Sequence, residues 1–327
     1  MRRARVLGHG LLALGAVLLG AALAVRLFLV PSLVVLPLDQ NTVATASATD
    51  VTYLDFSTFE EIEGAEADVR VEVEGTPGAA EASDDVAVWS SGTRLTDAGT
   101  EGLITASQYT ACLDRREAVA LDCDAETVDE DPADVQGVTV TFPFGTEQQD
   151  YDVWNVTTRQ TFPARFVAED EIEGVAVYRF EQEIPDTVVR STSVPAALAG
   201  ATGEGTVEAD IVYSNVRTLW VEPTSGVVVS SEESPFTRLV GPDGTEGATI
   251  LRADIAADPE TVAAGAERAV ENRDRIALIS RTVPLAVAAL GLVLVVAGLV
   301  LLTRATRGAH RTPQAAQAAR EPVSSAQ

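Results

Sequence analysis

Hydrophobic and polar residues follow two rhythms along this chain, one unbroken and one alternating. Val283–Leu302 (VPLAVAALGLVLVVAGLVLL) is apolar throughout and is bounded by Arg281 and Arg304. A helix rises ~1.5 Å per residue, so about 20 such residues cross a hydrocarbon layer ~30 Å thick. Val6–Val25 is a second apolar stretch, preceded by Arg2, Arg3 and Arg5, as in a signal sequence or an uncleaved anchor. Ala22-Leu23-Ala24 offers a small-residue cleavage site, yet apolar character resumes after Arg26 with LFLVPSLVVLP. An uncleaved anchor is therefore expected. The arginine flanks then place both termini in the cytoplasm and Asp39–Arg281 outside, giving a two-pass plasma-membrane protein.

Between the apolar stretches the rhythm has period two. Val69, Val71 and Val73 alternate with Arg70, Glu72 and Glu74; Val138, Val140 and Phe142 alternate with Thr139 and Thr141; Ala209, Ile211 and Tyr213 alternate with Glu208, Asp210 and Val212. Such alternation predicts antiparallel strands with one buried face. Three turn-like segments share an apolar residue, an acid or amide, a spacer and two hydroxyls: Leu54–Thr58, Trp154–Thr158 and Val221–Ser225. Side chains of these types bond nearby backbone and favour turns. Glu173-Gly174 reads as a two-residue hairpin turn. The predicted fold is a mainly β extracytoplasmic domain, an antiparallel meander closed as a sandwich or open barrel, set between two transmembrane helices.

Gly75–Ser83, Asp122–Asp134 and Val194–Gly205 read as loops. Asp258 is a good helix N-cap, Pro259 suits the first helical position and Glu260 complements the helix dipole. A juxtamembrane stalk helix is expected to run into the second span with a kink at Pro284. The resulting division is 1–38 for the N-terminal tip and first span, 39–257 for the β domain, 258–282 for the stalk, 283–303 for the second span and 304–327 for a disordered tail. Ala16, Gly20 and Ala24 lie at four-residue spacing and offer a close-packing face, with Gly291 and Gly298 as its match.

Charge narrows the partners. Residues 39–281 hold 15 of the basic and 48 of the acidic residues, a formal −33. A domain of that charge repels nucleic acid and anionic headgroups. Histidine occurs only at His9 and His310 and lysine nowhere, so the outer segment has no His-based triad, Lys nucleophile or His-rich zinc site. Carboxylates remain for acid–base work on glycans, but the sequence singles out no pair. No catalytic, cofactor-binding or metal-binding residue is assigned, and the protein is expected not to be an enzyme. The acidic run from Asp122 to Asp134 lacks the central glycine of an EF-hand loop, which favours a solvated loop over a Ca²⁺ site. Cys112 and Cys123 flank a turn centred on Arg115–Ala118 and are expected to form a disulfide across that hairpin. Trp89, Trp154 and Trp220 fall in strand-like segments and read as core. The sequon Asn155-Val156-Thr157 overlaps a turn.

Several motifs carry a family resemblance: Pro37-Leu38-Asp39-Gln40, Asp84–Trp89 (DDVAVW), Phe142–Thr146 (FPFGT) leading to Tyr151, Phe162–Phe166 (FPARF), Val177–Pro185 (VYRFEQEIP) and the Trp220–Gly226 turn. Together they resemble actinobacterial envelope proteins of the PorA family, a domain of unknown function, over nearly the whole chain. The resemblance implies an accessory in lipoglycan assembly that binds lipid or glycolipid or supports a membrane mannosyltransferase. A carboxylate-dependent glycan-modifying enzyme is the alternative. A porin ranks below both, because a membrane barrel needs strands with an apolar, lipid-facing side.

Overall fold

The alternating segments become long antiparallel strands of one hydrogen-bonded sheet in the computed structural model, which describes residues 2–202 and 204–307. In chain order the strands are β1 (Asn41–Asp55), β2 (Glu60–Gly75), β3 (Val86–Asp97), β4 (Leu103–Asp114), β5 (Ala120–Leu121), β6 (Thr127–Val128), β7 (Asp131–Pro132), β8 (Tyr151–Asn155), β9 (Gln160–Ile172), β10 (Val175–Pro195), β11 (Thr206–Val221), β12 (Val228–Glu233), β13 (Phe236–Val240) and β14 (Glu246–Ala257). Their order is β7-β6-β4-β3-β2-β1-β14-β12-β11-β10-β9-β8, with β13 bridging β11 and β14 and β5 paired to β4. Two meanders are thus joined where β1 meets β14.

Residues 137–138 stitch β8, one end of this path, to β5 on the flank of β4. The Ala120 N–H donates to the Gly137 carbonyl (2.9 Å), Val138 N–H to Asp152 (2.8 Å), and Trp154 N–H to Val138 (2.8 Å). The sheet therefore curls back on itself; it is one curled sheet, not two stacked ones. This corrects the strand expected over Val138–Phe142: only Val138 makes a bridge, parallel to Val153. The segment alternates because it is extended and wedged between neighbours, with Val138 and Phe142 each 2% exposed. Phe142 stacks on Phe180 at 5.0 Å between ring centres and meets Tyr151 edge-on at 5.4 Å.

A single turn design closes five hairpins among the described residues. Asp55 accepts from the Ser57 N–H and hydroxyl (both 2.7 Å). Asp97 accepts from Gly99 (2.9 Å) and Thr100 (2.7 Å), and Asp114 from Arg116 (2.7 Å) and Glu117 (2.9 Å). Asn155 accepts from Thr158, and Glu222 from Thr224 and Ser225. Four residues after each acceptor the chain turns left-handed, at Phe59, Glu101, Ala118, Arg159 and Gly226 (φ 52–73°). Bonds from Ser57 hold the Asp55 carboxyl below its ordinary range, and bonds from Thr100 do the same for Asp97. The Glu173-Gly174 hairpin is the two-residue kind, both residues having positive φ.

Two of the expected loops hold regular structure. The acidic stretch contains the β6–β7 hairpin, and β10 runs through to Pro195 before a 3-10 turn at Ala196–Ala199. Acidic and small-residue composition signals turns, and here the turns lie within short paired elements.

The helices are α1 (Arg2–Ala24), α2 (Val30–Leu33), α3 (Pro259–Ala277) and α4 (Val283–Arg307). The first four residues expected in the tail, 304–307, finish α4; the rest of that tail lies outside the described residues. On the β domain, α3 lays Ala266 and Ala269 (5% and 0% exposed) against Val175, Val177 and Val229. A β-carbon on Gly265 would stand 2.8 Å from the Val229 carbonyl oxygen, so this small-residue face permits close approach.

Residues 2–33 and 277–307 form a separate unit in which α1 and α4 pack antiparallel. Their seam has seven-residue spacing: Gly8 faces Gly298 and Gly15 faces Gly291, and Ala22 and Pro284 continue the two series, all six buried. This corrects the face expected at Ala16, Gly20 and Ala24; a β-carbon on Gly20 would meet nothing within 4 Å. Gly291 and Gly298 do lie in the seam. Two helices touching along one antiparallel stripe keep side chains in phase every seven residues, not every four. The expected kink at Pro284 takes the form of a π turn, Leu278–Thr282, and a matching π turn, Val25–Leu29, precedes Pro31. The carbonyl that a regular helix would pair with residue 284 is that of Ser280. Arg26 donates to it at 3.1 Å.

Candidate functional site

The inward side chains of the sheet are not all apolar. Gln182 on β10 is 0% exposed; its amide donates to the carbonyls of Val153 (2.8 Å) and Phe162 (3.0 Å). Its oxygen accepts from Arg217 on β11 at 3.2 Å, and Arg217 lies 3.4 Å from Glu233 on β12. Asn215 donates to Glu233 (3.1 Å) and to the Tyr213 hydroxyl (3.0 Å), which Asn155 also reaches at 3.4 Å. Burial pushes the Tyr109 phenol up to about 12, against bonds from Ser91 and Thr139 and the charge of Arg217. Burial also raises Tyr213, with Glu233 adding to it. Both phenols stay protonated at neutral pH, and the Tyr213 oxygen accepts from Asn155 and Asn215. The network joins β8 through β12 with one cation opposite one anion, an arrangement that fixes strand positions.

The residues singled out from sequence fall around this interior. Cys112 and Cys123 form a disulfide with Cα atoms 6.2 Å apart. It ties the start of the acidic stretch to β4, where Cys112 pairs with Leu121. Within that stretch Asp129 accepts the Gln108 N–H at 3.0 Å and Asp131 lies 3.7 Å from Arg159. Glu126 is buried among the core. Among the described residues no three His, Cys, Asp or Glu side chains converge in a group that would hold a metal ion. Trp89 and Trp154 are each 5% exposed, and Trp89 donates to the Pro37 carbonyl at 3.0 Å. Trp220 donates to Asp170 at 3.1 Å. Asn155 of the sequon is buried at the head of its turn.

Two pockets on the β domain lie open to solvent and are lined largely by charged and polar residues. One, about 540 Å³, lies on the face of β2, β3 and β4 and is lined by Arg70, Glu72, Arg94, Gln108, Asp129 and Glu130 among others. The other, about 430 Å³, includes Asp134, Gln136, Trp154, Arg159 and Gln160. Neither is the enclosed apolar chamber that a sheltered lipid requires. Sequence reasoning missed the Gln182–Arg217–Glu233 network, because a polar residue at an inward position looks the same as one facing water.

The helical unit carries the strongest surface signal. Residues 1–33 and 277–307 contain no Asp or Glu and seven arginines. Outside the glycine seam their apolar side chains are uncovered, Phe28 at 77% and Leu285 at 68% being the extremes. Both helices are long and apolar enough to cross a membrane, and both are only 11% buried over their most apolar window. A core helix of that hydrophobicity would be covered.

Residues 7–300 match the family described as Porin PorA. The chain is 29% identical to a Porin PorA of Corynebacterium amycolatum, across 71% of this chain and 77% of that relative. It is 25% identical to a Porin PorA of Corynebacterium resistens, across 52% of this chain and 57% of that one.

Proposed function

The chain belongs to the Porin PorA family, and from that premise we propose that it forms a passage for small hydrophilic solutes across an envelope membrane. The observation carrying this reading is the extent of the match, residues 7–300, which takes in both apolar helices and the entire β domain. The same finding corrects the expected role as a lipoglycan-assembly accessory, and with it the low rank given to a porin. That rank rested on the strands, whose outer faces are indeed charged, as at Glu61, Glu63, Glu66 and Asp68 of β2. The inference failed because a porin name does not require the strands to be what crosses the bilayer.

The protein is a membrane or envelope protein. In the proposed arrangement α1 and α4 span the bilayer, both termini are cytoplasmic and the acidic domain stands outside, without catalytic activity of its own. Arginines at Arg2, Arg3, Arg5, Arg304 and Arg307 support that orientation. A β-carbon at Gly15 would lie 2.6 Å from the Gly291 carbonyl oxygen, so one copy has no room for a path along its seam. The proposed passage therefore runs between copies. Cysteines placed at Ser83 and Ser324 should label from outside and inside respectively; labelling of both from the same side would reject the topology.

Conductance tests the function. Full-length protein in a planar bilayer should give discrete steps, and the −33 domain should concentrate cations at the mouth, for a cation-over-anion permeability ratio of about 3 or more at low salt. High salt should reduce that ratio by screening. A bilayer that stays silent with oligomeric protein inserted would overturn the proposal.

A further inference from the structure

Glu126 occupies an unusual position for a carboxylate. It is 3% exposed, and its Oε1 has no hydrogen-bond partner. Backbone N–H groups of Val135 and Cys123 bond the carboxyl group. The main chain is tied as well: Glu126 N–H donates to Cys123 (3.4 Å), and its carbonyl accepts from Ala133 (3.1 Å). It therefore sits where the acidic segment leaves and rejoins the domain. Between those points the β6–β7 hairpin docks on β4 through the Tyr109–Val128 and Thr110–Thr127 pairs. Val128 within the hairpin and Val135 just after it are both 1% exposed in the core beside Trp154.

We propose that Glu126 is a proton-controlled latch: protonated, it keeps residues 124–135 seated on β4, and ionised, it releases the β6–β7 hairpin from the sheet. An ionised carboxylate with a bare, buried oxygen is costly to keep. Two like charges, Asp134 and Asp122, add to that cost. From the neighbouring β8–β9 turn, Arg159 is engaged with the Val128 carbonyl (3.3 Å) and Asp131 (3.7 Å), and Asp129 is held by the Gln108 N–H (3.0 Å). The disulfide fixes Cys123, so release is a local hinge and the domain stays folded.

Burial first, then Asp134 and Asp122, push the Glu126 carboxyl from 4.5 up to about 7 in the seated state. A raised value means the seated state holds a proton that the released state has lost. Stabilisation by Glu126 is complete below pH 4.5, declines as pH rises and is gone once pH passes about 7.

Hydrogen exchange of the full chain in detergent micelles tests the latch. Between about pH 5 and about pH 8, protection of amides 124–135, corrected for intrinsic exchange, should fall by roughly tenfold to a hundredfold, while β1 and β11 amides stay unchanged. Glu126→Gln should hold its protection across that range. Asp134→Asn should make the loss smaller and complete it at lower pH, because removing a like charge lets Glu126 ionise more easily while seated. The proposal is overturned if wild-type protection is flat with pH or if Glu126→Gln loses protection as wild type does. It is also overturned if millimolar calcium at the higher pH restores protection, since the segment would then be a cation site.

Discussion

A leucine in place of Gly15 should force the two apolar helices apart. A β-carbon there would stand 2.6 Å from the Gly291 carbonyl oxygen, 2.7 Å from a Val295 methyl and 2.9 Å from the Val295 nitrogen. Two of those three are backbone atoms and cannot rotate away, so relief requires translating α1 against α4. Overpacking of this kind costs about 1–3 kcal/mol, a change of roughly fivefold to a hundredfold or more in the pairing equilibrium. Spin labels at Val17 and Leu290, both exposed, should report a longer and broader separation in Gly15→Leu. Gly20→Leu, whose site is open, should leave the distance unchanged. Equal effects from the two substitutions would show that the glycine seam does not govern pairing.

The largest loss in the β domain is expected from Gly226→Ala. Gly226 has φ +73°, and an added β-carbon would lie 2.0 Å from the Phe142 carbonyl oxygen and 2.7 Å from its carbon. The Gly226 carbonyl also accepts from the Phe142 N–H and the Thr141 hydroxyl, each at 2.9 Å. Moving the turn therefore displaces Phe142 from its stack on Phe180. Backbone strain and lost packing together should cost about 3 kcal/mol or more. Gly174→Ala has nearly the same φ, +75°, but open space around it, and should cost only about 1 kcal/mol. Thermal melts followed by tryptophan fluorescence separate the cases. Matching losses would mean that φ alone matters and the contact with Phe142 does not.

Much of the domain was legible from alternation and turn chemistry. Val69, Val71 and Val73 declare the buried face of β2 because Arg70, Glu72 and Glu74 occupy the other. The turns at Asp55, Asn155 and Glu222 are visible through the hydroxyls that follow. Asp97 and Asp114 make the same turn with bonds mainly from backbone N–H groups, and no particular side chain need follow them. Val138–Phe142 misled because burial by non-partner neighbours produces the same alternation as pairing. The helix seam misled differently: small residues occur at both four- and seven-residue spacings on α1, and only the partner helix selects between them. Glu126 left no trace, since one carboxylate in an acidic run looks like the rest until its surroundings are known.

The stitch at residues 137–138 has a consequence for life in a crowded membrane. Chains tethered in one plane meet at high local concentration, and an open strand edge would invite a neighbour to zip onto it. Here β8 is covered by Val138, while the far edge ends in the two-residue β7, whose Pro132 has no N–H to offer. Each copy thus presents little template for intermolecular strand addition. Neighbours can stand side by side without their domains coalescing into aggregates.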